Sequence, residues 1–328
     1  VTYPISLKRS EAVHIGYNTF NNFNQAIYLE NIGADSEIHR NRMITNTTGS
    51  SNACVTLNHV NGTADNPINI LLNIIYLNIP SSSGNGLSIT SSAYLQILHN
   101  TIVTSSNNDY INGLALSLNS VTNSSLRSNV FSAPKTGYAL NVTSSPELIW
   151  EGNAYYCNNS DLGRFNGLLY DPQDYLESQI MDFTGVYANS LISESGYNSC
   201  SYLRNRGADT PLATDIDGNP WGDQVCPGAN VIPDTGWLFT NDLYIGPGAD
   251  FETLGAAFTA LMNRGISQSI TLHLAPGVYQ QNIELSHIPS AFGDDFVKVL
   301  GPEEGAAIIT YTAASPADNY VFRLTNTK

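Results

Sequence analysis

Ile97-Leu98-His99-Asn100-Thr101-Ile102 holds the pattern on which the reading of this chain turns: an apolar residue, two variable residues, an asparagine, one variable residue, a second apolar residue. The same frame reads Ile15…Asn18…Phe20, Ile38…Asn41…Met43 and Ile70…Asn73…Ile75 before it. After it come Leu126…Asn129…Phe131 and Trp150…Asn153…Tyr155. Successive asparagines lie 23, 32, 27, 29 and 24 residues apart. A recurrence of about 20–50 residues marks solenoids, propellers and arrays. A second strand repeats between the asparagines, at Ile27/Leu29, Val55/Leu57, Leu87/Ile89, Leu114/Leu116 and Leu140/Val142. Two further matches to the frame, at Asn58 and Asn119, fall outside the main register and close strands of this second series. Each coil thus carries at least two short strands whose alternate residues face inward. The expected fold is all-β, a right-handed parallel β-helix.

Asn18, Asn41, Asn73, Asn100, Asn129 and Asn153 are expected to be structural. Asparagine tolerates the left-handed backbone and bonds its local backbone, which suits a sharp corner between strands. Equivalent residues on stacked coils lie about 4.8 Å apart, within reach of a hydrogen-bonded ladder. One coil buries too little apolar surface to offset its ordering entropy, so stacking is compulsory.

The chain has 328 residues and a net charge of −15, from 13 Lys and Arg against 28 Asp and Glu. Such a surface repels phosphate backbones, and no basic stripe relieves it, so nucleic acid is not an expected partner. The longest apolar stretch, near Ile68 to Ile79, is broken by Asn69, Asn73 and Asn78, so no membrane insertion is expected. With only 12% charged residues and abundant Asn, Ser, Thr, Gly and Tyr, the composition fits an extracellular β-surface. No signal peptide opens the chain and both ends carry strand-like residues, which reads as a fragment of a longer protein with further domains. Cys54, Cys157, Cys200 and Cys226 form no Cys-x-x-Cys pair. Cys54 alternates out of phase with Val55 and Leu57; the other three admit one disulfide or unpaired structural thiols.

Two domains are expected. Residues 1–233 would be the end of a first β-helix, with its repeat body at 1–155 and a closing module at 156–233 that seals the open core. A helix is predicted from Asp171-Pro172 to about Phe183. Residues 234–328 would begin a second β-helix. There Asp250 can cap a helix over about 251–264, closed by Gly265, with Leu254, Ala257, Phe258, Leu261 and Met262 on one face. Strands are predicted at Leu243–Ile245, Ile270–Leu274, Val278–Leu285, Phe296–Leu300, Ala307–Thr312 and Tyr320–Leu324.

The second unit resembles the opening of pectin-lyase-like right-handed β-helices. The matching residues are Gly246-Pro-Gly-Ala-Asp-Phe-Glu-Thr-Leu254, Leu274-Ala-Pro-Gly-Val-Tyr279, Asn282-Ile283-Glu284 and Leu300-Gly301. Ala213-Thr-Asp-Ile-Asp-Gly-Asn-Pro220 looks like the terminal signature of secreted bacterial β-helix repeat domains. The resemblance implies a secreted, multi-domain bacterial surface protein, exported by the type IX route, with polysaccharide contact. It carries over no catalytic site. The only Asp-Asp, Asp294-Asp295, lacks the partner motifs of polygalacturonase-like enzymes, and the coils that bear pectinesterase-like acids are not reached.

Chemistry-bearing clusters are sparse. Asp215, Asp217 and Asn219 alternate oxygen ligands as a calcium loop would, but Pro220 and Cys226 stand where such a loop wants Gly and Glu. A turn held by local Asx bonds is the competing reading. Asp35 with Glu37, and Asp171 with Asp174, are the closest acid pairs of the first unit, at a strand entry and a helix cap. His14, His39, His59, His99, His273 and His287 show no metal-like spacing and read as surface imidazoles. Eighteen tyrosines, such as Tyr28, could stack on sugars or serve only as strand formers. Asn46, Asn61, Asn123, Asn141 and Asn158 open glycosylation sequons. The expected function is a non-catalytic surface stalk or adhesin that contacts glycans, without a cofactor. The competing class is a polysaccharide lyase or hydrolase.

Overall fold

The computed structural model describes residues 4–45, 53–79, 84–106, 113–135, 137–157, 161–171, 182, 184–188, 201–203, 206–221, 225–231, 239–285, 288–289, 295–315 and 319–324. The predicted helix from Asp171 to Phe183 therefore lies largely outside the described residues, as do Asn46, Asn158, Asp174, Cys200, His287 and Asp294. The chain divides into Val1–Ser199 with Leu203–Ile232, and Cys200–Tyr202 with Pro233–Lys328.

The first unit is a parallel β-solenoid with three sheets running its length. Sheet A stacks Ile5–Ser10, Ile27–Ile32, Val55–Val60, Asn85–Ala93, Leu114–Thr122, Tyr138–Thr143 and Gly163–Phe165, and ends with antiparallel Leu168–Tyr170. Sheet B runs from His14–Gly16 to Leu148–Glu151, and sheet C from Thr19–Asn21 to Val186–Tyr187. Each sheet takes one strand per coil, because each coil is three short apolar-alternating segments joined by bends. The core is built from registered rows: Ile15, Ile38, Ile70, Ile97, Leu126 and Trp150 in sheet B, and Phe20, Met43, Ile75, Ile102, Phe131 and Tyr155 in sheet C. Each fully buried Ile or Leu contributes about 1.5–3 kcal/mol relative to exposure, so the stacked rows, not any single coil, hold the fold.

The asparagines form the ladder their spacing allows, but they do not make the corner by taking the left-handed backbone. The residue before each asparagine does: Tyr17, Arg40, Leu72, His99, Ser128 and Gly152, with φ between 51° and 63°. This frees the asparagine side chain to point inward along the stack. The side-chain amide and backbone N–H of Asn41, Asn73, Asn100 and Asn129 each donate to Oδ1 of the next asparagine at 2.9–3.1 Å. The same amides also donate to a carbonyl of the preceding coil, Ile15, Ile38, Ile70 and Ile97 in turn. A second, serine ladder holds the corner between sheets A and B. Ser36, Ser92, Ser124 and Ser145 each accept a backbone N–H from the preceding coil and donate to a nearby carbonyl. The polar groups of both buried corners are thereby paired, as a low-dielectric interior demands.

Cys54 does not face outward as its phase implies. It occupies the buried step just before the sheet A strand, in register with Ala26, Gly86, Ala115 and Ala139. Only small side chains fit that row, and the thiol serves as one; burial pushes its pKa up and leaves it unreactive.

The closing module does two things. Gly163–Phe165 and Leu168–Tyr170 form the last hairpin of sheet A. Residues 206–231, expected to seal the open core, instead run back along the flank as a long hairpin, described with the site below. In the second unit, Leu243–Ile245, Ile270–Leu274 and Val297–Leu300 form one parallel sheet. Helix α1 (Leu254–Arg264) packs Leu254, Ala257, Phe258 and Leu261 into that unit's core. Its cap is Thr253, whose Oγ1 accepts Ala256 N–H at 3.2 Å, and not Asp250, which instead accepts Tyr244 N–H. Gly265, at φ 76°, closes it. The strand predicted over 278–285 is two, Gly277–Gln280 and Ile283–Leu285, paired in separate sheets across a corner.

Candidate functional site

The solenoid offers three outer faces, and they differ. Sheet C is covered: its outward row Ile74, Thr101, Val130 and Ala154 is fully buried. Part of that cover is the 206–231 hairpin, whose Ala229 N–H donates to Thr101 Oγ1 at 2.9 Å. The hairpin also follows the left-handed corner row. Ala208 N–H donates to Ser128 Oγ, and a Cβ on Gly152 (φ 63°) would meet Ala208 N at 2.4 Å, so only glycine fits beneath it. His99 lies between its limbs. Arg40 donates to Thr214 Oγ1 at 2.7 Å and to the Asp215 carbonyl, and Arg42 pairs with Asp217 at 2.5 Å near the tip.

That arrangement decides what Asp215, Asp217 and Asn219 do. Asp215 Oδ1 accepts the N–H groups of Asp217 and Asn219, and its Oδ2 accepts Asn219 Nδ2 and Val231 N–H, all within 2.8–3.1 Å. These oxygens face N–H donors, and Asp217 faces Arg42, which is the Asx-turn geometry. Among the described residues no cluster of three or more His, Cys, Asp and Glu is placed to hold a metal ion.

Sheet A keeps its outer face in solvent contact. Its two outward rows are in register across the central coils: Thr56, Ser88, Ser117 and Asn141 in one, Asn58, Thr90, Asn119 and Thr143 in the other. All eight are small, uncharged and able to donate and accept, and none is buried. Strand pleating spaces them about 7 Å along a strand and about 4.8 Å between coils. The first-coil end carries Lys8, Tyr28 and Glu30. Lys8 pairs with Glu30 at 2.6 Å, and Tyr28 donates to Glu30 at 3.1 Å. The bond from Lys8, then that from Tyr28, lowers the Glu30 pKa, while partial burial raises that of Tyr28. At the far end Arg164 lies over the Tyr138 ring, 5.1 Å from its centre. The face is thus a neutral polar strip with charge and aromatic rings at its ends.

The remaining candidates stay apart. Asp35 occupies a left-handed corner (φ 61°) and Glu37 a sheet B strand. His39 packs edge-on to Tyr17, which is 74% exposed, at 5.0 Å. His99 is the exception to the surface reading of the histidines: it is fully buried. In the second unit Asp242 accepts Thr271 N–H at 2.6 Å and bonds His273 Nε2 at 3.2 Å, and His273 stacks on Tyr244. The Thr271 bond, then that to His273, lowers the Asp242 pKa. An oriented imidazole of this kind needs an adjacent nucleophile to be catalytic.

One buried acid escaped the sequence reading. Asp182 terminates the asparagine ladder, accepting Asn153 Nδ2 at 2.7 Å, Asn153 and Gly152 N–H at 3.1 Å, and Tyr155 Oη at 3.0 Å. The signal was its distance: it stands 29 residues after Asn153, one more step of the repeat. No protein-family model, no curated protein and no solved structure matches this chain.

Proposed function

We propose that this chain is a non-catalytic extracellular module of a secreted, multi-domain bacterial surface protein of the pectin-lyase-like kind, and that it holds neutral glycans on the outer face of sheet A. The observation that carries the reading is the strip of eight small uncharged donor–acceptor side chains left uncovered on that face, where the equivalent row of sheet C is buried. A sugar hydroxyl both donates and accepts, so a Ser/Thr/Asn strip meets it without desolvating a charge. Rings at the strip's ends, Tyr28 and Tyr138, add stacking surface. With a net charge of −15, the chain repels acidic polymers at long range, which favours uncharged ones. Each contact is weak; a rigid rod bearing many gains avidity through repetition.

The test is a titration of the purified chain against neutral and acidic polysaccharides, with and without calcium, following binding and product release together. Binding of neutral polymers without turnover, weakened by Ser117→Asp, supports the reading. Turnover of any polymer replaces it with a polysaccharide lyase or hydrolase. No binding leaves a spacer role.

A further inference from the structure

The two limbs of the 206–231 hairpin meet over one titratable ring. Thr210, on the outgoing limb, sits with its Oγ1 2.8 Å from His99 Nε2. Gly228, on the returning limb, sits with its carbonyl 3.3 Å from Nδ1. Trp221, near the turn, lies over the ring with centroids 4.6 Å apart and planes 31° apart. A carbonyl can only accept, so Nδ1 carries the hydrogen and Nε2 is the lone pair that accepts from the Thr210 hydroxyl. One neutral imidazole therefore satisfies both limbs at once, in a position with no solvent exposure.

We infer that the hairpin is an acid-released latch: protonation of His99 frees both limbs from the corner row and uncovers the outer face of sheet C. A proton on Nε2 turns the acceptor for Thr210 into a donor and places a charge among groups that do not neutralise it. Titratable and charged groups on the elements packed around the ring are Asp209, Asp215, Asp217 and the Cys226 thiol of the hairpin, with Arg40, Arg127 and Glu151 of the corner and its neighbouring row. Arg127 pairs with Glu151, Asp217 with Arg42, and Arg40 bonds the hairpin at Thr214, so these charges are engaged with one another and not with the imidazole. Burial holds the His99 pKa down at about 4, against carbonyls of Gly228 and Cys226 that pull it up.

The sign follows from that direction. The closed hairpin binds the neutral ring, so its hold is complete above the ordinary histidine pKa of about 6.5 and weakens as pH falls toward 4, by up to tenfold per pH unit. Beneath it, Thr101 would lose its bond from Ala229, and Ile74, Val130 and Ala154 would lose cover.

Amide hydrogen exchange between pH 7 and pH 4, corrected for intrinsic rates, tests this on the whole chain. Gly207, Ala208, Gly228 and Ala229 report the hairpin, and Asn73 and Asn100 report the ladder. The expected result is a hairpin opening constant that rises up to tenfold per pH unit below about 6.5 while the ladder stays fixed. In His99→Gln the hairpin response flattens, and in Asp217→Asn, which removes the tip ion pair alone, it persists. A wild-type hairpin that does not respond, a ladder that opens in step with it, or an unchanged response in His99→Gln overturns the latch. If His99→Gln does not fold, the wild-type imidazole titration decides. Hairpin amide shifts that share its midpoint uphold the proposal, and a separate midpoint sinks it.

Discussion

Thr90 and Thr101 belong to the same coil, the first on the outer face of sheet A and the second on that of sheet C. Thr90 stands half-exposed in an open polar row, whereas Thr101 is fully buried and accepts a hydrogen bond from Ala229. The residue types match and the strands are built alike. What differs is whether another part of the chain has come back to lie on them. A solenoid leaves every outer face available in principle, and the hairpin selects which faces remain surface and which become interior.

The contrast can be broken or sharpened by substitution. The largest effect is expected inside. Asn100→Ala removes an amide that bonds Ile70 O, Leu98 O and Asn129 Oδ1, and strands the Asn73 donors. A loss of about 4 kcal/mol in denaturant unfolding is expected. A loss below about 1 kcal/mol would mean the ladder is ornamental to stability.

Acidification comes next. His99 has a folded pKa of about 4 against an ordinary 6.5, so unfolding stability falls by up to about 3 kcal/mol as pH drops through that window, and His99→Gln removes that slope. Asp182→Asn follows: one acceptor oxygen becomes an N–H₂ that faces donors, for an expected cost of about 2 kcal/mol measured by thermal melting. Smallest is Ser117→Asp on the open face, with stability within about 0.5 kcal/mol of the parent and any change confined to glycan binding.

The ladder was legible because each asparagine must return to one place in every coil, so its spacing survives insertions of differing length. The corner was not, since its left-handed positions are filled by Tyr17, Arg40, Leu72, His99, Ser128 and Gly152, which share a backbone angle and no chemistry. Asp182 was hidden for a related reason. It keeps the step but lacks the flanking apolar frame, with Gln179 and Thr184 where Ile97 and Ile102 flank Asn100. The hairpin's burial of His99 and Thr101 depends on residues more than 100 positions away, a pairing that local periodicity does not encode. The open strip of sheet A was half legible. Alternation told that Thr56 and Ser88 face outward, and only the fold told that nothing described covers them.

The direction of the asparagine ladder has a consequence of its own. Every side-chain amide points its N–H₂ toward the following coil, so the amide dipoles add along the axis as peptide dipoles do in a helix. Asp182 places a carboxylate at the positive pole of that column. The solenoid is therefore an electrically polar rod with its counter-charge built in at one end, and a carboxylate that only accepts cannot pass the column's donors on to another asparagine.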